Sequence, residues 1–277
     1  MSIDAEQVRR HYAPVPDADE MVIRVSHQID AMGDGSLSAA QTAALDQFHI
    51  RGLVATAELA QLVGVRASMQ VLDAGSGLGG PSRYLAETFG CRVDGIDLTP
   101  AYVELARHLA RRSVASDGLR YEHADLLALP SADGRYDLVW TQHVLMNVSD
   151  RDRAYAELHR VLRTGGKFAC YDIVAGLGRP DIDFPVPWAT DPESSCLLTQ
   201  PETVAAIEAA GFELVDWVDV TRLALNWFAQ SMPMAHQGLS LAAVIGPRMQ
   251  VLAGNLSRNL REGRLGVAMG VFVRSGL

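Results

Sequence analysis

The hydrophobic pattern from residue 69 onward alternates short apolar runs with longer stretches whose apolar residues recur at helical spacing. The short runs predict strands around Val71 and over 92–96, 119–122, 136–141, 168–174, 212–220 and 265–273. The longer stretches predict helices over 82–89, 101–113, 154–162 and 201–210, with a turn at Gly165-Gly166. Such alternation predicts an α/β fold with a Rossmann-like, doubly wound sheet, in which ligands bind at the carboxyl ends of the strands.

The first 68 residues lie outside this alternation and predict a helical arm. Pro14, Pro16 and a glycine-rich break at 33–36 interrupt its first half. Apolar residues then recur at helical spacing over 41–63, which predicts one helix there. Because the arm leads directly into the first strand, we expect residues 1–68 to cover the ligand site.

Two later segments interrupt the alternation and predict a cap. The segment 175–200 is rich in proline and glycine, which favours a long loop over a strand or a helix. The segment 225–262 has a largely helical pattern before the last predicted strand. We therefore expect residues 69–277 to form one domain with two insertions over the site, and the later insertion is also a candidate homodimer interface.

The first strand runs into a glycine-rich turn, Asp73-x-Gly75-x-Gly77-x-Gly79, and Asp97 ends the second strand about 20 residues later. Gly75 and Gly77 have no Cβ, so the backbone can adopt angles closed to other residues and approach a ligand closely. A carboxylate at Asp97 can accept hydrogen bonds from both hydroxyl groups of a ribose. The pattern predicts a nucleoside cofactor that is held largely by main chain.

The glycine turn alone does not choose the cofactor, since its spacing and Asp97 also fit a dinucleotide fingerprint. The only lysine is Lys167, and Arg163 stands where a short-chain NAD(P) enzyme needs its tyrosine. Ser82 and Arg83 stand where a Walker phosphate loop needs its lysine and hydroxyl, and the single lysine also disfavours Schiff-base chemistry. An NAD(P)-dependent Rossmann oxidoreductase stays as an alternative from a different class.

Composition and charge narrow the range of partners. The 277 residues, 48% of them hydrophobic, can form one sizeable domain with an elaboration. The net charge of -9, from 33 acidic and 24 basic residues, argues against nucleic acid. No window approaches the ~20 apolar residues of a membrane span and the N-terminus is polar, so we predict a soluble, cytoplasmic protein without a membrane partner. The three cysteines are far apart and form no C-x-x-C, so no metal site is predicted.

Three further motifs accompany the glycine turn: His123-Ala124-Asp125-Leu126 after the third strand, Tyr136-Asp137 opening the fourth, and Glu157-x-x-Arg160 before Gly165-Gly166. With these motifs the chain resembles the class I S-adenosylmethionine-dependent methyltransferases from about residue 45 to the C-terminus. The resemblance implies S-adenosylmethionine as the cofactor and a seven-stranded sheet in the order 3-2-1-4-5-7-6. The seventh strand would be antiparallel, and 265–273 is the candidate for it.

The resemblance also implies which residues contact the cofactor. Asp73 would orient the glycine turn and the cofactor ammonium group, although a carboxylate satisfied by backbone amides would give the same sequence. Asp97 would bind the ribose, and Asp125 would accept a hydrogen bond from the adenine amine. The other predicted cofactor-binding residues are Gly75, Gly77, Gly79, Leu98, Ala124, Leu126 and Gln142.

Four segments, 79–83, 96–99, 140–143 and 184–188, resemble a small-molecule branch of this family. That branch contains sarcosine and dimethylglycine N-methyltransferases and tocopherol-type C-methyltransferases. The resemblance implies N-methylation of a small amine or amino acid, similar to glycine or sarcosine. The alternatives are C- or O-methylation of an aromatic or prenylated acceptor, and a cofactor-binding subunit without activity of its own.

Methyl transfer from a sulfonium needs no metal, so the protein must position the nucleophile and help to remove its proton. His143, at the end of the fourth strand, is the candidate base, with packing against the cofactor as the alternative. His49, on the arm, is expected to lie over the sulfonium or the acceptor, or else on a helix surface. Trp188 is expected to hold a cationic amine or stack on an aromatic acceptor, with a hydrophobic plug as the alternative. Asn147 is the other predicted substrate-binding residue.

Overall fold

The structure is a computed structural model that describes residues 5–12, 17–231 and 240–276. The strands are β1 (Gln70–Ala74), β2 (Arg92–Asp97), β3 (Leu119–His123), β4 (Tyr136–Gln142), β5 (Leu162–Ala175), β6 (Phe212–Asp219) and β7 (Leu265–Arg274). The first six helices are α1 (Ala5–Tyr12), α2 (Asp17–Asp30), α3 (Ala39–Asp46), α4 (Gly52–Val63), α5 (Gly80–Phe89) and α6 (Pro100–Arg111). The later helices are α7 (Arg151–Val161), α8 (Gln200–Ala209), α9 (Thr221–Ser231), α10 (Ala242–Ile245) and α11 (Met249–Arg261).

One seven-stranded sheet organises the molecule, in the order β3-β2-β1-β4-β5-β7-β6. The strands β1 to β5 pair in parallel, whereas β7 runs antiparallel to both β5 and β6. The predicted doubly wound sheet and its antiparallel last strand are therefore confirmed. The strand order reverses between β1 and β4, which is where doubly wound sheets open a crevice for a ligand.

Helices cover both faces of the central strands, because successive side chains of a strand point to opposite faces. Val71 packs on one face in a cluster with Leu59 of α4, and both side chains are fully buried. Leu72, the next residue, packs on the other face with Leu158 of α7. Burial on both faces explains why β1 and β4 are nearly continuous apolar runs.

The predicted single helix over 41–63 is wrong, because the chain leaves the helix after Asp46 and starts α4 only at Gly52. Arg51 and Gly52 take left-handed backbone angles, with φ of 67° and 49°, which a continuous helix does not allow. The periodicity hid this break because Ile50, inside the connection, is itself 4% exposed and belongs to the core. The break places His49 in a loop.

The predicted turn at Gly165-Gly166 is also wrong. Helix α7 passes directly into β5, and both glycines belong to that strand of 14 residues. The register between β4 and β5 is irregular at this point. A Cβ on Gly166 would come within 2.8 Å of the Arg163 carbonyl oxygen, so the glycines permit a bulge in the strand.

The arm is built from two kinds of contact. Met21 of α2 and Leu45 of α3 form a third apolar cluster with Leu105 of α6, whereas α4 packs in the main core beside the sheet. Residues 1–4 and 13–16 of the predicted arm and 232–239 of the predicted cap lie outside the described residues, and the domain boundary at 68 stays a prediction. None of the described helices is long and apolar enough to cross a membrane.

A buried ion pair fastens the arm to the sheet domain. Arg83 of α5 and Asp46 of α3 pair directly, and their side chains are 1% and 0% exposed. Arg83 also donates a hydrogen bond of 2.7 Å from Nη1 to the Leu78 carbonyl. Burial raises the pKa of Asp46, and the guanidinium beside it opposes that rise. Both charges are withdrawn from solvent, so neither can exchange its partner for water.

The Arg83→Met variant should therefore be strongly destabilised. Removing the guanidinium leaves the Asp46 carboxylate buried without its cation, which costs about 3 to 5 kcal/mol in comparable pairs. Urea denaturation of the variant measures the loss of unfolding free energy. The double variant Asp46→Asn with Arg83→Met is the control, since it removes both charges and should recover part of the loss. Additive losses in the double variant would mean that the pair is not coupled.

Candidate functional site

A cavity of about 610 Å³ opens at the carboxyl ends of β1, β2 and β4, where the strand order reverses. Its wall continues over helices α1 and α2, the proline-rich loop and the helices α10 and α11. The structure brings together, on this one wall, every predicted site residue except Gly79: Asp73, Gly75, Gly77, Asp97, Leu98, Ala124, Asp125, Leu126, Gln142, His143, His49, Trp188 and Asn147. The arrangement matches the predicted juxtaposition, and the roles of the residues stay predictions.

The glycine turn lies tightly against its neighbours. Gly75 has a φ of 86°, and a Cβ there would come within 2.4 Å of the Val144 side chain. The amides of Gly75 and Ser76 both donate to the Ile96 carbonyl at 2.8 Å, which ties the turn to the end of β2. Gly77 has a φ of 53° and lines the cavity, and a Cβ there would lie 3.8 Å from the ring of Phe48. Without that Cβ, a ligand can approach bare backbone at Gly77.

Gly79 does not line the cavity. It precedes α5 with a φ of 76°, and a Cβ there would come within 2.3 Å of the Tyr121 hydroxyl. Tyr121 also donates a hydrogen bond of 3.2 Å to the Gly79 carbonyl. The absence of a Cβ at Gly79 therefore allows Tyr121 of β3 to pack against the start of α5. This contact supports the glycine turn.

Asp97 uses each carboxylate oxygen once. Its Oδ2 accepts from the Gly77 amide and its Oδ1 from the Thr99 amide, both at 2.8 Å. Burial raises the pKa of Asp97, and the two amides partly offset that rise. Each oxygen keeps a lone pair for a further donor. A ribose diol is a donor pair of the required kind.

Asp125 is arranged in a similar way at the far side of the cavity. Its Oδ1 accepts from the amide of Leu127 at 2.8 Å, which closes a short turn after β3. Ala124 and Leu126, on either side of it, line the cavity with the neighbouring Leu98. An apolar wall with a carboxylate beside it suits an aromatic base that carries an amine.

Asp73 lines the cavity and is 2% exposed. Its Oδ2 accepts a hydrogen bond of 2.6 Å from the Ser82 hydroxyl. Burial is the main reason that the pKa of Asp73 rises to about 7, and the negative charge of Asp97 adds to the rise. Two neighbouring buried carboxylates favour a cationic ligand, because a positive charge would relieve both the desolvation and the repulsion.

This raised pKa predicts a pH dependence for the binding of a cation. Below about pH 7 the Asp73 carboxyl is protonated, so a cationic ligand must displace that proton. The affinity for S-adenosylmethionine should therefore rise between pH 6 and 7 by up to about tenfold and level off above pH 8. Calorimetric titrations across this range measure the slope. The Asp73→Asn variant keeps an acceptor for Ser82 and should lose the slope, whereas the same slope in the variant would assign it to another group.

His143 follows the last residue of β4 and has a strained backbone. Its φ is 53°, its amide donates to the Tyr171 carbonyl at 2.8 Å, and the turn that it begins is held by Asp172. We call residues 143–145 the β4 turn. Burial, with a smaller effect of His49, lowers the pKa of His143 well below its usual value. The imidazole is therefore neutral at physiological pH, and its Nε2 is buried without a hydrogen-bond partner.

His49 lies beside His143, with 6.0 Å between the ring centroids, and both rings contact Tyr171. Its Nε2 is 2.9 Å from the Gly52 carbonyl, which can only accept, so Nε2 carries the proton. Thr56 Oγ1 lies within 3.0 Å of the same nitrogen and 2.8 Å from Gln47 Oε1. Burial lowers the pKa of His49 to about 4. His49 is therefore a fixed, neutral ring on the wall and not part of a helix surface.

The substrate-side predictions differ in their surroundings. Trp188 is 2% exposed, and its indole N–H donates to Ser195 Oγ at 2.9 Å, so only part of its face meets the cavity. Asn147 donates from Nδ2 to the Tyr12 hydroxyl at 3.0 Å. That bond leads to the N-terminal helix. Asn147 thus faces the cavity next to a residue that the sequence analysis missed.

Helix α1 closes one side of the cavity. The Tyr12 carbonyl accepts a hydrogen bond from the Tyr102 hydroxyl at 3.0 Å, and His11 Nε2 lies 2.9 Å from the Pro187 carbonyl. Burial raises the pKa of Tyr12, so its hydroxyl stays protonated. These residues were hard to predict from the sequence, because α1 is short, polar and contains no fully buried residue. The one hint was the aromatic pair at its end.

The part of the wall beyond His143 is largely apolar. Its apolar members come from six parts of the chain: Val8, Met21, Ile173, Trp188, Val244, Leu252 and Leu256. The charged side chains that line it are Glu20, Arg24 and Arg248, which are exposed, and Asp46, which is already paired with Arg83. Among the described residues, this half of the cavity therefore offers no unpaired buried charge to an acceptor.

The chain is similar in sequence to known methyltransferases. Residues 72–170 match the model of a methyltransferase domain. Methyltransferase GfsG of Streptomyces halstedii is 32% identical over 173 residues, 60% of each chain. A sarcosine/dimethylglycine N-methyltransferase of Halorhodospira halochloris is 37% identical over 102 residues, 37% of each chain.

The fold is also similar to that of solved structures. The [4+2]-cyclase SpnF superimposes with a TM-score of 0.70 at 21% identity, covering 99% of this chain and 97% of that one. The matches to the first curated relatives are shorter, and the chain spans 60%, 46% and 44% of their lengths. Because a protein named as a cyclase shares the whole fold, the fold by itself does not specify the reaction.

Proposed function

We propose that this chain is a class I S-adenosylmethionine-dependent methyltransferase, which binds S-adenosylmethionine in the cavity and transfers the methyl group to a small molecule. The observation that carries the proposal is that one cavity joins Asp73, Asp97 and Asp125 to His143 and to the apolar half of the wall beyond it. We call that half the apolar chamber. A small-molecule substrate is the partner that such a closed chamber admits.

The residues of the cofactor half fit S-adenosylmethionine. Buried polar atoms without a partner lie on this wall at Ser76 Oγ and Gln142 Nε2, where a polar ligand would satisfy them. Asp97 has acceptor capacity for the ribose, and Asp125 has it for the adenine amine. Asp73 supplies negative charge for a ligand that carries an ammonium and a sulfonium.

In the proposed mechanism, this chain binds and orients the two substrates and accepts the proton that the nucleophile loses. S-adenosylmethionine, when bound, supplies a methyl group on a positively charged sulfur. His143 is neutral at physiological pH and its Nε2 has no hydrogen-bond partner, so in the tautomer with the proton on Nδ1 this nitrogen would accept the proton that the nucleophile loses. The apolar wall excludes water from the nucleophile, and closure of the cavity by α1 and the proline-rich loop completes that exclusion.

The apolar chamber favours a hydroxyl or carbon nucleophile on a largely apolar acceptor. A zwitterion such as glycine or sarcosine would lose its hydration there, and only exposed charges at Glu20, Arg24 and Arg248 would replace it. This argument moves the preference from N-methylation, which the sequence suggested, to its O- or C-methylation alternative. The local similarity to a sarcosine/dimethylglycine N-methyltransferase is the specific support for the other choice.

A labelled transfer assay tests the proposal. The protein is incubated with trideuteromethyl-labelled S-adenosylmethionine and, separately, with phenols, prenylated aromatics, apolar alcohols and glycine derivatives, and products are identified by mass spectrometry. Label on oxygen or carbon of an apolar acceptor supports the proposal. Label on the nitrogen of a glycine derivative would favour N-methylation and contradict the assignment of the chamber. Binding of the cofactor without label on any member of a broad panel would favour the inactive-subunit alternative.

Cytoplasmic location and homodimer formation stay predictions from the sequence. A dimer through the later insertion would involve residues near α10 and α11, which also line the cavity. Size-exclusion chromatography with light scattering decides the oligomeric state directly.

A further inference from the structure

The carboxylate of Asp172 lies next to the turn that carries the candidate base and does not line the cavity. It stands near the carboxyl end of β5, is 5% exposed, and its Oδ1 accepts a hydrogen bond of 3.0 Å from the Val144 amide. Its other oxygen, Oδ2, is buried without a partner. Among the residues that line the cavity, its neighbours Ile173 and Val144 appear but Asp172 does not.

The β4 turn is the element that this carboxylate holds. His143 has a left-handed backbone, which is uncommon for a residue with a side chain and persists only when its surroundings impose it. Two bonds from β5 impose it here: the Tyr171 carbonyl accepts from the His143 amide, and Asp172 accepts from the next amide along the chain. The turn is thus fixed to β5 at two consecutive residues.

The turn is held on its other side by the glycine turn. Val144 packs so closely on Gly75 that a Cβ at Gly75 would come within 2.4 Å of it. Val144 is therefore held by the Asp172 carboxylate, through its amide, and by the contact of its side chain with Gly75. A side chain at 143 has little freedom to move while both contacts persist.

We propose that Asp172 is a positioning residue for methyl transfer, which holds the β4 turn so that the His143 imidazole faces the reacting atoms. The proposal rests on the role of His143 as the base in the proposed function. Positioning of this kind matters because a displacement of about 1 Å of a catalytic group can cost 100-fold in rate. Asp172 acts through the backbone of Val144, not through contact with a substrate.

Variants at Asp172 distinguish its role as a hydrogen-bond acceptor for the Val144 amide from the effect of its negative charge. Asp172→Leu removes the acceptor, and kcat should fall about 10- to 100-fold while the affinity for S-adenosylhomocysteine is unchanged. Asp172→Asn keeps an oxygen that can accept from Val144, so kcat should stay within about threefold of the wild type. Equal loss in both variants, or loss of cofactor affinity in step with kcat, would overturn the proposal.

Asp137 provides a matched control at the opposite end of β4. Its Oδ2 accepts from the Gln70 amide at 2.7 Å, so it also caps a backbone amide, but it lies far from the β4 turn. Asp137→Leu should lower stability and leave kcat unchanged. A similar fall in kcat for both leucine variants would mean that any lost cap in this sheet disturbs activity, which would overturn the specific role of Asp172.

A double-mutant cycle tests whether Asp172 acts through His143. Once His143 is replaced by asparagine, adding Asp172→Leu should lower kcat by less than threefold, because the group that it positions is gone. Multiplication of the two single effects would contradict the proposal.

Hydrogen exchange of the protein without ligands gives a readout that does not depend on activity. The Val144 amide should exchange at least tenfold faster in Asp172→Leu than in the wild type, with Asp172→Asn close to the wild type. Should Asp172→Leu fail to fold, Asp172→Ala serves in its place. Faster exchange without a fall in kcat would overturn the positioning role, and absence of methyl transfer in the wild type would instead contradict the proposed function.

Discussion

The Asp97→Ala variant is expected to lose about 1 to 3 kcal/mol of binding free energy for S-adenosylhomocysteine, a weakening of roughly 5- to 150-fold. The carboxylate has one spare lone pair on each oxygen, and the ribose hydroxyl groups would lose both acceptors together. The substitution also releases the Gly77 and Thr99 amides, so the glycine turn itself should loosen. Calorimetry measures the affinity, and thermal denaturation measures the accompanying loss of stability.

Asp94 provides the control for Asp97, because it lies on the same strand but outside the cavity. It pairs with Arg135 and accepts a hydrogen bond from Tyr136 at 3.1 Å. Asp94→Asn should lower stability slightly and leave the affinity for S-adenosylhomocysteine unchanged. Unchanged affinity in Asp97→Ala, or equal weakening in both variants, would refute the assignment of Asp97 to the ribose.

The His143→Asn variant is expected to lower turnover by about 10²- to 10⁴-fold while S-adenosylhomocysteine still binds normally. Asparagine tolerates the left-handed backbone at this position, so it preserves the β4 turn and removes only the group that accepts a proton. His143→Ala removes the same group and adds backbone strain, which makes it the less specific variant. Single-turnover kinetics separates the chemical step from binding.

The alternative role of His143, packing against the cofactor, predicts a different result. If His143 only packs against the cofactor, His143→Asn should weaken the binding of S-adenosylhomocysteine and lower turnover by similar factors. Turnover within about threefold of the wild type would remove His143 from the mechanism and leave His49, the neighbouring imidazole on the wall, as the next candidate. His49→Gln, measured in the same way, would then test that residue.

The sheet and the cofactor half of the site could be predicted because both follow from local patterns. The short apolar runs of β1 and β4, the glycine turn and the terminal Asp97 are each encoded by a few consecutive or closely spaced residues. The antiparallel β7 was predictable only from the family resemblance, since an isolated strand pattern does not carry its direction.

The acceptor half could not be predicted because its wall is assembled from distant parts of the chain. Val8 of α1, Leu252 of α11 and Trp188 of the proline-rich loop meet only through tertiary packing. The break between α3 and α4 was missed for a related reason: Ile50 continues the apolar spacing, but left-handed angles at Arg51 and Gly52 end the helix. That break is what brings His49 to the wall beside His143.

Asp172 shows the same limit from another direction. In the sequence it is one acidic residue within the apolar run 168–174 and belongs to no motif, whereas Asp137 belongs to the Tyr136-Asp137 motif. The structure distinguishes them by the amide that each one accepts, Val144 at the site and Gln70 at the opposite end of the sheet.

The most direct test of the central claim is a calorimetric titration of the protein with S-adenosylhomocysteine, with NAD as the comparison ligand. Saturable binding at one site per chain, weakened in Asp97→Ala and absent for NAD, is the result predicted for a methyltransferase cavity. Binding of NAD without binding of S-adenosylhomocysteine would contradict the account and return the chain to the oxidoreductase alternative.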